Sequence, residues 1–334
     1  MTYDFSKYLF RASGVAHIMT GATGLSEAQL KLIDDLEARK VTKKGLTDKQ
    51  DALYMSLLNS DKELTDKQNE TLNDLSKKKD EVIGITEKQQ ETLDDLIYKR
   101  DNKQLSTGAK SYLKRLYREV VYNRRKELVS KYINKGNTNE EDSITILSIL
   151  DDTVYENNKE RLYNDWLTGE CDIKPVNKKG IDIKSSWDLS TFPFEDEPLD
   201  PIYDYQNLSY IDLYGADEWE TAYVLTNLSD SMLMDQIYRE GFNHENNEVP
   251  AWKKLEIINR FIYDEENFFR LIKLHDCIED TPDERSADII NGFVEIPLEK
   301  RVIKKLTVRD DEKINLIHEM CELSREFLME LAKK

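Results

Sequence analysis

Apolar residues follow two regimes along the chain. Between residues 24 and 105 they come as spaced pairs behind a repeated head. The heads are Leu25-Ser26-Glu27-Ala28-Gln29, Leu46-Thr47-Asp48-Lys49-Gln50, Leu64-Thr65-Asp66-Lys67-Gln68 and Ile85-Thr86-Glu87-Lys88-Gln89, with a degenerate fifth at Leu105-Ser106. Ser or Thr followed three residues on by Gln is a capping box, which satisfies free N–H groups at a helix start. Each head precedes one apolar pair: Ile33/Leu36, Tyr54/Leu57, Leu72/Leu75, Leu93/Leu96 and Leu113/Leu116. Three-residue spacing puts each pair on one helix face. The unit is therefore a short helix of about three turns. Its apolar face is so narrow that it must stack on neighbours to be stable. The region reads as an arm or insertion, with a role in partner docking, DNA guiding or spacing. Its mixed charge favours docking or spacing.

The rest of the chain reads differently. In residues 1–23, Arg11 and Ser13 precede a small apolar helix, which Ser13 could cap. Residues 106–135 predict one helix ended by Gly136, and 140–159 a second one, with Ile144, Leu147, Leu150 and Val154 at helical spacing and Glu140 and Glu141 in its first turn. From Arg161 to Leu189 the period changes to that of strands. The turn Asn177-Lys178-Lys179-Gly180 makes a hairpin, and Ile181 and Ile183 alternate with Asp182 and Lys184, so that acid and lysine share a face. A proline-rich acidic loop follows to Pro201. Helices are predicted at 202–214, 216–240 and 252–279, a strand at Val302–Val308, and a last amphipathic helix at 309–333 with Ile314, Ile317, Met320, Leu323, Phe327 and Leu331 on its face. Strands set between helices indicate an α/β class.

The charged fraction, 34%, fits long exposed helices, and no apolar run is long enough to span a bilayer. The N-terminal stretch lacks the basic start and apolar block of a signal peptide, and Cys171, Cys277 and Cys321 have no metal-binding spacing. A reduced, cytoplasmic protein is expected. A net charge of −18 argues against indiscriminate nucleic-acid binding. The exception is local. Lys110, Lys114, Arg115, Arg118, Arg124, Arg125, Lys126, Lys131 and Lys135 face only Glu119 and Glu127, with Tyr112, Tyr117, Tyr122 and Tyr132 interleaved. A basic helix with aromatics suits phosphate-backbone contact; a solvated face balancing acidic neighbours is the plainer reading.

One stretch carries chemistry: GECDIKPVNKKGIDIKSSWD, from Gly169 to Asp188. Phosphodiester hydrolysis needs the phosphate's charge neutralised and a water activated. Mg²⁺ or Mn²⁺ supplies both and prefers carboxylate oxygens. Adjacent strands can bring Asp172 and Asp182 together, with Lys184 on the same side to orient water or steady developing charge. A surface salt-bridge ladder is the competing reading of the motif alone. Trp187 reads as core in preference to a base-stacking platform. His17, His244, His275 and His318 have no mutual metal spacing, and there is no Walker A sequence.

The order Glu140, Asp172, Asp182-x-Lys184, then Gln206-x-x-x-Tyr210 on one helix face, resembles the PD-(D/E)xK nucleases, in the branch of RecB-like domains and lambda-type exonucleases. The resemblance covers roughly residues 106–215, with weaker echoes at 8–20 and 295–333. It implies a restriction-endonuclease-like core, a central mixed β-sheet flanked by helices, made from 1–23 and 106–334 and interrupted by the arm at 24–105. It implies Glu140, Asp172, Asp182 and the Ile183 carbonyl as ligands of Mg²⁺ or Mn²⁺, and Lys184 as the catalytic lysine. Gln206 and Tyr210 would lie beside the substrate strand. Arg11 and Ser13 look like the segment that binds a terminal 5′-phosphate, and Arg118 and Arg125 would serve the DNA backbone. Cys171 stands where the family has proline, and Glu141 beside Glu140 leaves that ligand open by one position. The expected activity is a Mg²⁺-dependent deoxyribonuclease, an exonuclease on linear duplex DNA serving phage recombination or replication in the host cytoplasm. A single-strand annealing or other recombination protein and further copies of the chain are candidate partners; no membrane is expected. The rivals are an endonuclease of the same fold and a non-catalytic protein that binds DNA or a partner through the arm.

Overall fold

The computed structural model describes residues 3–22, 25, 27–60, 62–125, 130–277 and 283–333. The chain forms two compact units, residues 1–19 with 107–334, and residues 20–106. The larger unit opens with β1 (Phe10–Arg11) and α1 (Val15–Met19).

The smaller unit contains α2 (Glu27–Val41), α3 (Asp48–Leu58), α4 (Asp66–Asp80) and α5 (Glu87–Asp101). Thr47, Thr65 and Thr86 cap α3, α4 and α5, each closing a full capping box with Gln50, Gln68 and Gln89. Ser26, the first predicted cap, lies outside the described residues. The helices pair in hairpin order, α2 with α5 and α3 with α4. Leu25, Ile33 and Leu36 meet Leu93 and Leu96 in a small buried cluster. Between the two pairs, Lys43 and Val82 form an antiparallel bridge, and Gly45 and Gly84 adopt positive φ of 68° and 70°. The narrow faces thus find cover by stacking two at a time.

The larger unit continues with α6 (Thr107–Val121), α7 (Lys131–Leu150), β2 (Leu162–Tyr163), β3 (Leu167–Gly169), β4 (Ile173–Val176), β5 (Lys179–Ser185), α8 (Pro201–Tyr214) and β6 (Glu218–Val224). Then come α9 (Asp230–Gly241), α10 (Ala251–Phe261), α11 (Glu265–Leu274), α12 (Glu284–Asn291), β7 (Val302–Val308) and α13 (Asp311–Ala332). It is a mixed α/β unit. One sheet runs β4-β5-β6-β7, with β5 and β6 parallel and the outer pairs antiparallel. A small sheet runs β1-β3-β2. The hairpin β4–β5 turns on Asn177 and Lys178, with φ of 49° and 65°, the left-handed pair that a two-residue hairpin demands.

Side-chain alternation divides the β5 faces. Ile181 and Ile183 pack with Ile173, Ala222 and Val224 against Ile144 and Leu147 of α7. Asp182 therefore faces the other way, where α8 lies: Asn207 of α8 bonds Thr221 at 2.9 Å and Thr307 at 3.1 Å. A second core gathers Leu233, Leu255, Ile258, Phe261, Phe268 and Leu271 of α9–α11 around Trp187, 3% exposed.

Several sequence expectations shift. Residues 106–135 are not one helix: α6 stops at Val121, Asn123 takes a left-handed φ of 50°, and Ser130 starts α7 by accepting from Ile133 N at 3.2 Å. Lys126 and Glu127 of the basic segment lie outside the described residues. Gly136 does not end a helix; it sits inside α7, with Glu140 mid-helix. That helix ends at Leu150, before Asp152 with φ 46°, so Val154 is 89% exposed and off the core. Residues 218–224 are strand, because Trp219, Thr221 and Ala222 fill a slot hydrogen-bonded on both sides by β5 and β7. The predicted helix 252–279 divides at Asp264, which caps α11 by accepting from Asn267 N at 2.9 Å. On α13 the buried stripe passes through Ile314, Ile317, Cys321, Ser324 and Leu328, leaving Leu323, Phe327 and Leu331 half-buried.

Candidate active site

The two carboxylates and the lysine converge at the C-terminal half of β5. Asp182 is 2% exposed, and its Oδ2 lies 2.6 Å from Lys184 Nζ. Asp172, just before β4, accepts a 2.7 Å hydrogen bond from Ile183 N. The β4 ladder reaches only Ile181, so the edge of β5 at Ile183 is free of a neighbouring strand and the carboxylate takes the partner's place. In a strand the N–H and C=O of one residue point to the same edge. The Ile183 carbonyl is thus left on that edge.

Electrostatics follow from crowding. Burial, then the neighbouring Asp182 charge, pushes the Asp172 carboxyl up to about 7, against the pull of Lys184 and the Ile183 N–H. Burial opposes the charge on Lys184, yet Asp182, Asp172 and Tyr203 hold its ammonium above the ordinary value. Lys184 Nζ also sits 4.8 Å from the Tyr203 ring centroid on α8. Sequence reading overlooked Tyr203; its place one turn before Gln206 on the same helix was the available signal.

α8 holds Asp182 from behind. Gln206 Nε2 donates to Asp182 Oδ1 at 3.4 Å and to Tyr210 OH at 3.3 Å, and Tyr210 OH donates to the Glu170 carbonyl at 3.0 Å. Both side chains are nearly closed off, 6% and 4% exposed. Burial raises the Tyr210 phenol far enough that it stays a neutral donor. Two glycines make this fit. A Cβ on Gly180 would lie 2.3 Å from the Trp219 ring, and one on Gly169 would lie 2.8 Å from Tyr210 Cε1. Trp219 stacks on Tyr210 at 5.1 Å. Cys171 is buried and donates to the Ile173 carbonyl at 3.2 Å; burial pushes its thiol up to about 11. It is packing, not a nucleophile.

Glu140 is half-buried on α7, its Oε1 accepting from Asn157 at 2.8 Å, and its charge adds to the upward push on Asp172. Glu141 is exposed. Among the described residues, no three His, Cys, Asp or Glu side chains already form a metal cage. The donor set still suits a hard divalent ion. Mg²⁺ needs only one or two carboxylates besides waters and substrate phosphates. Asp172 and Asp182 are mutually repelling carboxylates, and the buried Asp182 Oδ2 has the Lys184 ion pair but no well-formed hydrogen bond.

Arg11, Ser13 and Arg125 meet elsewhere in the same unit, around a cleft of about 570 Å³ that also presents Arg115, His17 and Tyr112. Arg118 does not line it. The cleft is tied to the carboxylates by backbone: Arg11 pairs with Thr168 of β3, two residues before Glu170. The His17 ring lies 4.7 Å from that of Tyr112, tilted by 32°, and burial with nearby Arg115 lowers its proton affinity. Lys135, counted in sequence with the basic strip, is no phosphate contact. It is fully buried, donating to the carbonyls of Ser186, Thr226 and Trp187 at 2.7, 2.8 and 3.1 Å. Burial lowers its proton affinity, while Asp188 and the three carbonyl acceptors favour the charged ammonium.

No model of a known protein family matches the chain, and no curated protein does. Among solved structures, the chain is similar to a phage related exonuclease from Haemophilus somnus 129PT, with 23% identity, 68% of this chain and 84% of that chain covered, and a TM-score of 0.48. It is also similar to an alkaline exonuclease, LHK-Exo, from Laribacter hongkongensis, with 10% identity, 68% and 83% covered, and a TM-score of 0.42.

Proposed function

We propose that the chain is a metal-dependent deoxyribonuclease with a PD-(D/E)xK core, acting as an exonuclease on linear duplex DNA. The observation that carries this reading is the junction at β5, where Asp172 holds the Ile183 N–H at 2.7 Å and Lys184 lies 2.6 Å from the buried Asp182. Asp172, Asp182 and the Ile183 carbonyl would hold Mg²⁺ or Mn²⁺, with Glu140 completing the set. Such an ion supplies charge neutralisation at the phosphate and a more acidic water. Lys184, kept protonated by the carboxylates, is a donor to the charge that develops on the phosphate oxygens. Gln206 and Tyr210, facing inward, steady Asp182 and the Glu170–Asp172 backbone and leave the substrate side to Lys184 and Asp172. Arg11, Ser13 and Arg125 form the pocket for the terminal 5′-phosphate, and Arg118 contacts the duplex outside it.

On this reading residues 24–105 are an arm inserted into the nuclease domain for docking a partner, such as a single-strand annealing protein of phage recombination, and the enzyme works in the cytoplasm of the host. Further copies of the chain could close around the duplex. No helix among the described residues is long and apolar enough to cross a membrane. The test compares 5′-phosphorylated linear duplex with closed circular DNA, with Mg²⁺ and with chelator, for wild type and Asp182→Asn. Mg²⁺-dependent loss of only the linear form by wild type is expected. Nicking of circles would make it an endonuclease, and equal inactivity of both proteins would remove the enzyme reading.

A further inference from the structure

α7 carries a polar stripe on the face where an apolar one would hold it to a sheet. Lys135, Asn139 and Ser143, four residues apart, are 0%, 1% and 0% exposed. Lys135 spends its three N–H donors on three carbonyls, those of Ser186, Trp187 and Thr226. Asn139 Nδ2 donates to the Asn227 carbonyl at 2.6 Å, and the Ser143 and Ser185 hydroxyls lie 3.2 Å apart. The acceptors lie where β5 and β6, which run parallel, come to their ends. One helix thus closes the ends of both strands with polar bonds. Taking an ammonium wholly out of water is unfavourable, and a leucine or methionine would join helix to sheet without that cost. The stripe and its partners adjoin the candidate site in sequence: Ser185, the partner of Ser143, follows Lys184, and Glu140 follows Asn139.

We infer that Lys135 is a positioning residue for the carboxylate centre: its three carbonyl bonds fix α7, and with it Glu140, against the end of β5 that carries Asp182 and Lys184. The inference rests on the nuclease reading in one respect, that Asp172, Asp182 and Glu140 take a divalent cation. Lys135 touches neither cation nor substrate. Its part is to set the separation of ligands borne on two elements that would otherwise slide on an apolar contact.

The test reads cation binding without DNA or turnover. Mn²⁺ is titrated calorimetrically into the full chain for wild type, Lys135→Met, Glu140→Gln and the double variant, with thermal unfolding followed alongside. Residues that orient metal ligands typically govern roughly 10–100-fold in affinity. Lys135→Met is expected to weaken Mn²⁺ binding in that range, and to have no further effect once Glu140 is Gln. A variant that unfolds earlier but binds Mn²⁺ as tightly as wild type would overturn the inference, as would an equal loss in the Glu140→Gln background. If Lys135→Met does not fold, Asn139→Ala keeps the ammonium in place and tests the same latch. It is expected to weaken Mn²⁺ binding in the same Glu140-dependent way, and unchanged affinity would overturn the inference. Wild type that binds no Mn²⁺ would overturn both this inference and the nuclease reading, whereas binding by wild type with unaltered variants would overturn the inference alone.

Discussion

The helical repeat unit and the β5 site spend charge in opposite ways. In residues 20–106 ion pairs lie in water: Lys43–Asp80 at 2.6 Å has side chains 61% and 66% exposed, and Lys99–Asp95, also at 2.6 Å, is 52% and 57% exposed. Such pairs contribute little to stability and are screened by salt. Around β5 the charges are closed in: the side chain of Asp182 is 3% exposed and Lys135 is wholly covered. Burying a charge is costly, and removing one partner costs about 3–5 kcal/mol because the other is stranded. The repeat unit can drift in sequence at its charged positions and keep its fold. At the β5 site, removing one member leaves its partner buried without a counter-charge.

That contrast can be broken or sharpened by experiment. The repeat unit should depend on its few apolar contacts. Leu93→Ala, in the cluster with Ile33 and Leu36, is expected to cost about 2–5 kcal/mol of that unit's stability while leaving cleavage of naked DNA unchanged. Unfolding by circular dichroism together with a nuclease assay reads both; a matching loss of cleavage would show the units to be coupled.

The β5 site should instead respond to protons. The folded chain holds the Asp172 proton to about pH 7, above the ordinary carboxylate value of 3.8. This group therefore favours the metal-free fold at low pH, and that contribution is lost as pH rises from about 4 to about 7. Across the same window a cation must displace the proton. Mn²⁺ affinity is expected to rise about tenfold per unit up to pH 7 and then level off, by calorimetry from pH 5.5 to 8.5. A flat profile would mean that Asp172 is not a ligand. The smallest effect belongs to the caps. Thr65→Ala removes one capping box of α4 and is expected to cost about 1 kcal/mol, with no change in Mn²⁺ binding.

The same division explains what the sequence could disclose. The capping boxes and paired leucines are local, so Thr47, Thr65 and Thr86 announce their helices within four residues. Asp172, Asp182 and Lys184 were legible because alternation in a strand and a hairpin are also short-range. In sequence Lys135 belongs to a basic strip; its carbonyl partners lie 51 to 91 residues away, beyond any local pattern. Residues 218–224 read locally as helix for the same reason: only pairing with β5 and β7 makes them a strand. Asn157, the partner of Glu140, sits in an irregular segment with no periodicity to point at it.

The most direct measurement is single-turnover cleavage of 5′-phosphorylated linear duplex by Lys184→Ala, with DNA binding followed in parallel. Lys184 pairs with Asp182 at 2.6 Å, beyond Ile181, where the β4 pairing of β5 ends. Cleavage is expected to fall to background while DNA affinity stays within about twofold, a difference of less than half a kcal/mol. Wild-type cleavage by this variant would contradict the assignment of β5 as the catalytic centre.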